Sequence, residues 1–405
     1  MQNIYYRNNN ITMIFLIFII TFSLMFPILG VYIWALGLLS GKKWFDLAIL
    51  IYYCLFFSFF VALRDPMSGF SSAGYGMDAG HYMNAFEALS NYSIFDFESV
   101  RNVAKGNTGS NEPLFWFFAH IFQLVFLDRY IVWIVFSFIG LLLISIPYFC
   151  FFSSRRAFII LACYVSTITF YVFQGSGIRQ GLAFSVLSFA FVAYINKFFS
   201  LSILGSLVAT LIHYSAAPVM AVFIFSAFIK RGIWTKIIIG LFSTIILLLS
   251  SYHFITEQIY VKSIGYLEQA STQKSAYLQF IIESVFIFYL ARRLGSNRYS
   301  SFVKDFLGIF LLFSYIIAII TGIVMSGGGF ERYYRYLYII SLFIVSEYAC
   351  SKVRVNSINS IFSGPWVIMV AASWMLFLVF SRYQGLFVEG GVTEHLLYSP
   401  FLNLW

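Results

Sequence analysis

The chain has 405 residues, of which 61% are hydrophobic and 10% are charged, with a formal net charge of +9 and a mean hydropathy of +0.86. A soluble domain carries about a quarter charged residues, so the composition excludes that class and indicates a polytopic membrane protein. The basic residues are spread between hydrophobic runs and form no basic domain or stripe, which argues against nucleic acid as a partner.

A helix needs about 20 apolar residues to cross a bilayer. Runs of suitable length predict spans at residues 13–38, 45–63, 130–152, 157–175, 178–196, 234–252, 277–291, 303–325, 333–350 and 363–381. The first of these runs is longer than the apolar region of a signal peptide, so we expect it to stay in the mature protein.

Residues 113–127 are apolar but short, and they predict a short span, a re-entrant helix or an interfacial helix. Residues 200–229 are too long for one upright helix and contain His213 and Pro218, which predicts two half-helices or one kinked helix. The expected fold is a single all-α membrane domain over residues 1–405, with about 10–13 transmembrane helices.

Short cytoplasmic loops collect Lys and Arg, and this bias predicts the orientation. The basic residues expected inside are Lys42, Lys43, Arg155, Arg156, Lys197, Lys230, Arg231, Arg292, Arg293, Lys352 and Arg354. The segments then expected outside are the long loop 64–112, residues near 176–178, 253–276 and 326–332, and the tail 382–405.

The long outer loop is predicted to contain a helix from about Ala79 to Ser90. Its apolar pattern suits an amphipathic helix lying on the membrane. The residues of that pattern are His81, Tyr82, Ala85, Phe86 and Leu89.

Carboxylates in this loop are candidate catalytic groups. Asp78 follows Gly74 and Gly76, and a carboxylate near the membrane surface suits a general base for a sugar hydroxyl. It would alternatively cap the helix that begins at Ala79. Glu112, before Pro113, is a second candidate, although an acid at a helix N-terminus is also favoured by the helix dipole.

Charged and ionisable residues within or beside the apolar runs predict a phosphate site. Arg179 and Gln180 follow Gly177 at the start of a span, where a guanidinium and backbone N–H groups suit an anion. Arg179 would alternatively snorkel to the lipid headgroups. His213 lies deep in an apolar run and suits binding or proton handling, since ionisable groups in membranes face cavities, although packing alone is the alternative.

Near the end of the chain, Arg332 and Arg335 follow a glycine-rich turn and are three residues apart, hence on one helical face. They suit a pyrophosphate clamp, with an interfacial belt of Arg and Tyr as the alternative. Walker, HExxH and DxD motifs are absent from the sequence, and the four cysteines show no CxxC spacing. We therefore expect no metal and no cofactor.

Taken in order, these motifs resemble the EpsG family of Wzy-type bacterial polysaccharide polymerases. The matching positions are Arg64, Gly76-Met-Asp78, Tyr82, Glu112-Pro113, Gly177-Ile-Arg179-Gln180, His213-Tyr-Ser215 and the cluster from Arg332 to Arg335. The resemblance implies a glycosyltransferase of the bacterial inner membrane, acting on its outer face. It would join undecaprenyl-diphosphate-linked oligosaccharide repeats into O-antigen or capsule, with a chain-length regulator as a partner.

The resemblance also implies roles for the residues. Asp78 would be the base or would position the acceptor, with Glu112 as second choice. Arg179, Arg332 and Arg335 would hold the diphosphate, with Gln180 beside Arg179. Arg64 and His213 would support the acceptor or the leaving phosphate.

The outer loop followed by Glu112 is also similar in layout to GT-C glycosyltransferases, a likeness of architecture alone. Other classes stay open. An O-antigen ligase or another lipid-linked glycosyltransferase would share the chemistry, and a lipid-linked oligosaccharide flippase would share the substrate.

Overall fold

A computed structural model describes residues 21, 27–35, 42–62, 77–93, 95–109, 112–175, 177–230, 274–293, 299–324, 333 and 335–351. These residues are almost entirely α-helical, and none of them lies in a β-strand. The prediction of an all-α polytopic membrane protein is therefore confirmed. The predicted spans 234–252 and 363–381, and most of 13–38, lie outside the described residues.

The helices are, in chain order, α1 (Pro27–Ala35), α2 (Lys43–Ala62), α3 (Met77–Leu89), α4 (Phe97–Thr108), α5 (Pro113–Phe126), α6 (Arg129–Phe151), α7 (Ser154–Val165), α8 (Ile168–Gly175), α9 (Ile178–Ile195), α10 (Phe199–Ile212), α11 (Ala217–Lys230), α12 (Lys274–Arg293), α13 (Ser300–Val324) and α14 (Leu337–Ser351). Among them, α2, α6, α9 and the part of α13 up to Ile317 are long and apolar enough to cross a membrane. The total of 10–13 crossings stays a prediction.

The chain divides into two compact units, which we describe separately. The first unit contains the residues up to Ser185 and those from Ala349 onward, and the second contains Val186–Tyr348. The boundary falls within α9, whose first turn therefore belongs to the first unit.

Tight connections define the first unit. Asp96 caps α4 by accepting the backbone N–H of Ser99 at 3.0 Å, and hydrogen bonds from the Ser99 side chain and backbone hold the Asp96 pKa below its usual value. Only Leu127 and Asp128 separate α5 from α6, and Asp128 caps α6. Helix α5 has 14 residues and is about 21 Å long. It is thus shorter than the hydrocarbon core of about 30 Å, as its sequence predicted.

Helix α3 corrects the prediction for the outer loop. It begins at Met77, two residues before the expected start, so Asp78 lies in its first turn. Tyr82, Phe86 and Leu89 are buried because this face packs against α4, α5 and α6, whereas His81 is exposed. The apolar face is therefore covered by protein and does not lie on the membrane.

The predicted span 157–175 is wrong as a single helix, because it breaks into α7 and α8 at Ser166 and Thr167. The Ser166 hydroxyl donates to the carbonyl of Ala162 at 2.7 Å, and the Thr167 hydroxyl donates to that of Tyr164 at 2.7 Å. Such side-chain bonds compete with the helical ladder and bend or end helices.

Helix α8 meets α9 at a corner that depends on glycine. The Gly177 N–H donates to the carbonyl of Val172 at 2.7 Å, which closes the end of α8. A Cβ at Gly181 would lie 2.6 Å from the Phe173 carbonyl oxygen and 2.8 Å from its carbon, whereas a Cβ at Gly177 would meet Val172 at an ordinary 3.5 Å. Gly181, and not Gly177, therefore sets the close approach of the two helices.

In the second unit, residues 200–229 form two helices, one of the two arrangements that the sequence predicted. Helices α10 and α11 have 14 residues each, or about 21 Å, and pack against each other. Between them His213 has an extended backbone (φ −154°, ψ 119°), and a 3-10 turn spans Tyr214–Ala216. If Lys197 and Lys230 lie on the same side, as predicted, the break lies within the membrane.

We expect Gly181→Ala to lower the free energy of unfolding by about 1–3 kcal/mol, because the new methyl group would displace the Phe173 backbone. Gly308→Ala is the matched control, since a Cβ there meets nothing within 4 Å and alanine favours the helix. Thermal unfolding of the detergent-solubilised protein measures both variants. Equal stability of the two would contradict the proposed contact.

Candidate functional site

A buried ion pair joins two of the predicted site residues in the first unit. Arg179, the second residue of α9, contacts Glu112 through its Nη1 and the Glu112 Oε2 atom. The residues are 8% and 2% exposed. Glu112 precedes Pro113, the first residue of α5, and makes no side-chain hydrogen bond that caps the helix. Its carboxylate is turned to the guanidinium instead.

Tyr82 and Trp116 complete the surroundings of the Arg179 guanidinium. The Arg179 Nε–H donates to the Tyr82 hydroxyl at 2.5 Å. The Cζ atom lies 5.0 Å from the Tyr82 ring centre and 5.8 Å from that of Trp116, both within cation–π range. We call Arg179, Glu112, Tyr82 and Trp116 the arginine cluster. Because Arg179 is enclosed there, the alternative that it snorkels to headgroups is wrong.

A second layer of buried groups supports the arginine cluster. The Trp133 ring lies 5.9 Å from that of Tyr82, and its Nε1–H donates to the backbone carbonyl of Gln174 at 2.8 Å. Trp133 thereby connects α6 to the end of α8. Gly140 on α6 leaves room for Gln174 and Ser185, since an added Cβ would lie 3.0 and 3.1 Å from their side chains.

Burial distinguishes this ion pair from a surface pair in the same unit. Glu87 of α3 contacts Arg129 of α6 at 2.6 Å, with side chains 69% and 36% exposed. Such exposed pairs contribute about 0–1 kcal/mol. The side chains of Glu112 and Arg179 are 2% and 10% exposed, and removing one partner of a buried pair costs about 3–5 kcal/mol.

The other predicted residues of this region have different positions. Asp78 precedes Tyr82 by four residues on α3, so its backbone is about 6 Å away along the helix. Gln180 is buried beside Arg179, with 7% of its surface exposed. Arg64 lies outside the described residues. The three motifs thus meet at Arg179, which contacts Glu112 and also Tyr82 from the helix that contains Asp78.

The second unit brings two further motifs together. The Ser215 hydroxyl lies 2.9 Å from that of Tyr336, so the segment after His213 contacts the segment that contains Arg335. The Tyr338 hydroxyl donates to Glu283 Oε1 at 3.1 Å. Arg332 lies outside the described residues.

Sequence reasoning missed Trp116 and Glu283. Glu283 had a signal, because it is an acid within the predicted span 277–291, and ionisable residues inside a membrane mark candidate sites. Trp116 had none, since it lies in a run rich in aromatic residues. Within the described part of the chain, no three His, Cys, Asp or Glu side chains form a group that could hold a metal ion.

Comparison with known proteins gives a family and two relatives. The model of the EpsG family matches residues 49–388. The EPS I polysaccharide export inner membrane protein EpsF of Ralstonia nicotianae is 30% identical over 362 residues, which cover 85% of this chain and 83% of that protein. The protein of the same name from Ralstonia solanacearum is 27% identical over the same shares. No solved structure matches the chain.

The buried ion pair predicts a specific pattern of stabilities. Glu112→Gln and Arg179→Gln should each lower the free energy of unfolding by about 3–5 kcal/mol, because each leaves a buried charge without its partner. The double variant Glu112→Gln, Arg179→Gln should recover most of this loss, since neither charge remains. Glu87→Gln is the surface control and should change stability by less than about 1 kcal/mol.

Thermal unfolding in detergent compares these variants. Additive losses in the double variant would contradict the pairing.

Proposed function

The chain belongs to the EpsG family, and from this premise we propose that it is a polysaccharide polymerase of the bacterial inner membrane. It joins undecaprenyl-diphosphate-linked oligosaccharide repeats into O-antigen or capsular polysaccharide, with the reaction on the outer face. The printed names of the two Ralstonia relatives, which mention a polysaccharide and the inner membrane, support this assignment.

The observation that carries the proposal is the buried guanidinium of Arg179 in the first turn of a membrane helix. A cation inside an apolar protein is expensive and marks a functional site. Its planar set of N–H donors matches the oxygens of a phosphate. A lipid-linked diphosphate is an anion that a membrane enzyme meets, since its lipid part stays in the bilayer.

The chemistry is glycosyl transfer without a nucleotide sugar. A hydroxyl of the incoming lipid-linked repeat attacks the anomeric carbon of the growing chain, and a new glycosidic C–O bond forms. The bond from that carbon to the diphosphate oxygen breaks, and the polyprenyl diphosphate leaves with the electron pair. The hydroxyl proton passes to a general base, for which Asp78 is the first candidate.

The remaining residues have supporting roles. Arg179 with Gln180, and Arg332 with Arg335, hold the diphosphate and stabilise the charge that develops on the leaving group. Arg64 adds a further cation for the diphosphate. His213, at the break between α10 and α11, handles a proton of the acceptor or the leaving phosphate. A chain-length regulator is the proposed protein partner.

One observation favours a second function. The word "export" in the names of both relatives suits a flippase that moves lipid-linked repeats across the membrane. A flippase and a polymerase use the same lipid-linked substrate, but their loss leaves the repeats in different places. An O-antigen ligase differs from both, because it acts on a finished chain.

Polysaccharide banding in a strain that lacks the gene tests the proposal. We expect single repeats in the deletion strain and a ladder after complementation with the wild-type chain. Arg179→Ala, Arg335→Ala and the double variant Glu112→Gln, Arg179→Gln should leave single repeats, since each lacks a cation for the diphosphate. Glu87→Gln should restore the ladder, because its pair is exposed.

Membrane levels of each variant are measured in parallel, and we expect the double variant to keep its fold, since neither charge is left unpaired. A ladder in the deletion strain itself would contradict the family function. Repeats stranded on the inner side would indicate a flippase, and polymer that fails to reach the lipid core would indicate a ligase. Long polymer from both arginine variants would overturn the assigned roles.

A further inference from the structure

We propose that Glu112 and Tyr82 are positioning residues that act through Arg179, and that Glu112 is not the catalytic base. Together they hold the Arg179 guanidinium in one orientation for the diphosphate of the donor. This inference rests on the proposed function and assigns a role to the ion pair that the function alone does not require.

The edge of the guanidinium is fixed at two different nitrogen atoms. Nε donates to the Tyr82 hydroxyl at 2.5 Å, and Nη1 contacts the Glu112 carboxylate. Tyr82 is on α3 and Glu112 precedes α5, so two separate helices set the rotation of the guanidinium in its own plane. Because the group is planar and rigid, two such contacts are enough to define its direction.

Two aromatic rings also lie within cation–π range of the guanidinium. The Arg179 Cζ atom lies 5.0 Å from the Tyr82 ring centre and 5.8 Å from that of Trp116. These rings are themselves stacked, with centres 6.1 Å apart and planes inclined by 23°. Moving the guanidinium away from these rings would therefore lose cation–π contact that is strengthened by burial.

Relative exposure decides which partner meets the substrate. The Arg179 side chain is 10% exposed and the Glu112 side chain is 2% exposed. A general base must approach the hydroxyl it deprotonates to about 2.6–3.2 Å, and the Glu112 carboxylate, paired with the guanidinium, offers less access than the guanidinium does. Glu112 thus supports Arg179 from the interior, while the more exposed guanidinium meets the diphosphate.

Kinetics of the purified protein test the roles. With a polyprenyl-diphosphate-linked oligosaccharide as donor, Glu112→Gln and Tyr82→Phe should raise the donor KM by roughly tenfold or more, because each removes a charge-assisted contact to Arg179. The pH dependence of kcat should keep both limbs in Glu112→Gln, because no titrating catalytic group is lost. Tyr82→Phe retains the ring and its stacking, so the fold should survive.

Matched controls separate a local effect from a general one. Glu87→Gln removes the carboxylate of an exposed pair, and Tyr130→Phe removes the hydroxyl of a ring that Arg129 covers at 5.5 Å. Both should leave the donor KM and kcat unchanged. Glu112→Asp keeps the charge and should recover part of the donor affinity lost in Glu112→Gln.

Three results would overturn the inference in distinguishable ways. Loss of one limb of the pH profile in Glu112→Gln, with an unchanged donor KM, would make Glu112 the catalytic base. Lower thermal stability with unchanged kinetic constants would make the pair structural only. Failure of the folded wild-type protein to use the lipid-linked donor would defeat the proposed function, and this inference with it.

Discussion

A positive charge enclosed among apolar helices needs a partner of opposite charge, and the contact between Arg179 and Glu112 meets this need in the first unit. The pair joins the first turn of α9 to the start of α5, and Tyr82 adds α3 to the same point. Two other contacts surround the pair. Gly181 lets α9 pack closely against α8, and Trp133 of α6 donates a hydrogen bond to the end of α8.

The second unit uses weaker contacts around a break in a helix. His213 ends α10 in an extended conformation, and the turn after it brings Ser215 to the Tyr336 hydroxyl. The Glu283 carboxylate accepts a hydrogen bond from the hydroxyl of Tyr338, which lies in α14. Leaving one buried hydroxyl without its partner costs about 1–3 kcal/mol, less than the cost of about 3–5 kcal/mol for removing one partner of a buried ion pair. We therefore assign the strongest positional constraint to the arginine cluster.

The sequence predicted the fold class and several site residues because their signals are local. Apolar runs define spans, and Arg179 stands out as a charge at the start of one. The partner of Arg179 could not be predicted in the same way, since Glu112 lies 67 residues away and the contact depends on how α5 and α9 pack. The sequence also could not distinguish the roles of Gly177 and Gly181, because the difference depends on how closely the Phe173 backbone approaches Gly181.

Local patterns also misled where tertiary contacts decided the outcome. The apolar pattern on α3 suited an amphipathic helix on the membrane surface, but its apolar face is covered by α4, α5 and α6. The run 157–175 is mostly apolar, but Ser166 and Thr167 lie at its middle, and their side-chain bonds accompany a break there. The roles of Asp78 and His213, which the family resemblance implies, stay proposals.

The central claim is that a lipid diphosphate is the leaving group of a glycosyl transfer. The most direct measurement places the purified protein in liposomes with a polyprenyl-diphosphate-linked oligosaccharide and no nucleotide sugar. The proposed mechanism predicts longer lipid-linked chains, with one free polyprenyl diphosphate released for each new glycosidic bond. Lipid-linked repeats that stay unchanged in length, with the protein folded and no diphosphate released, would contradict it.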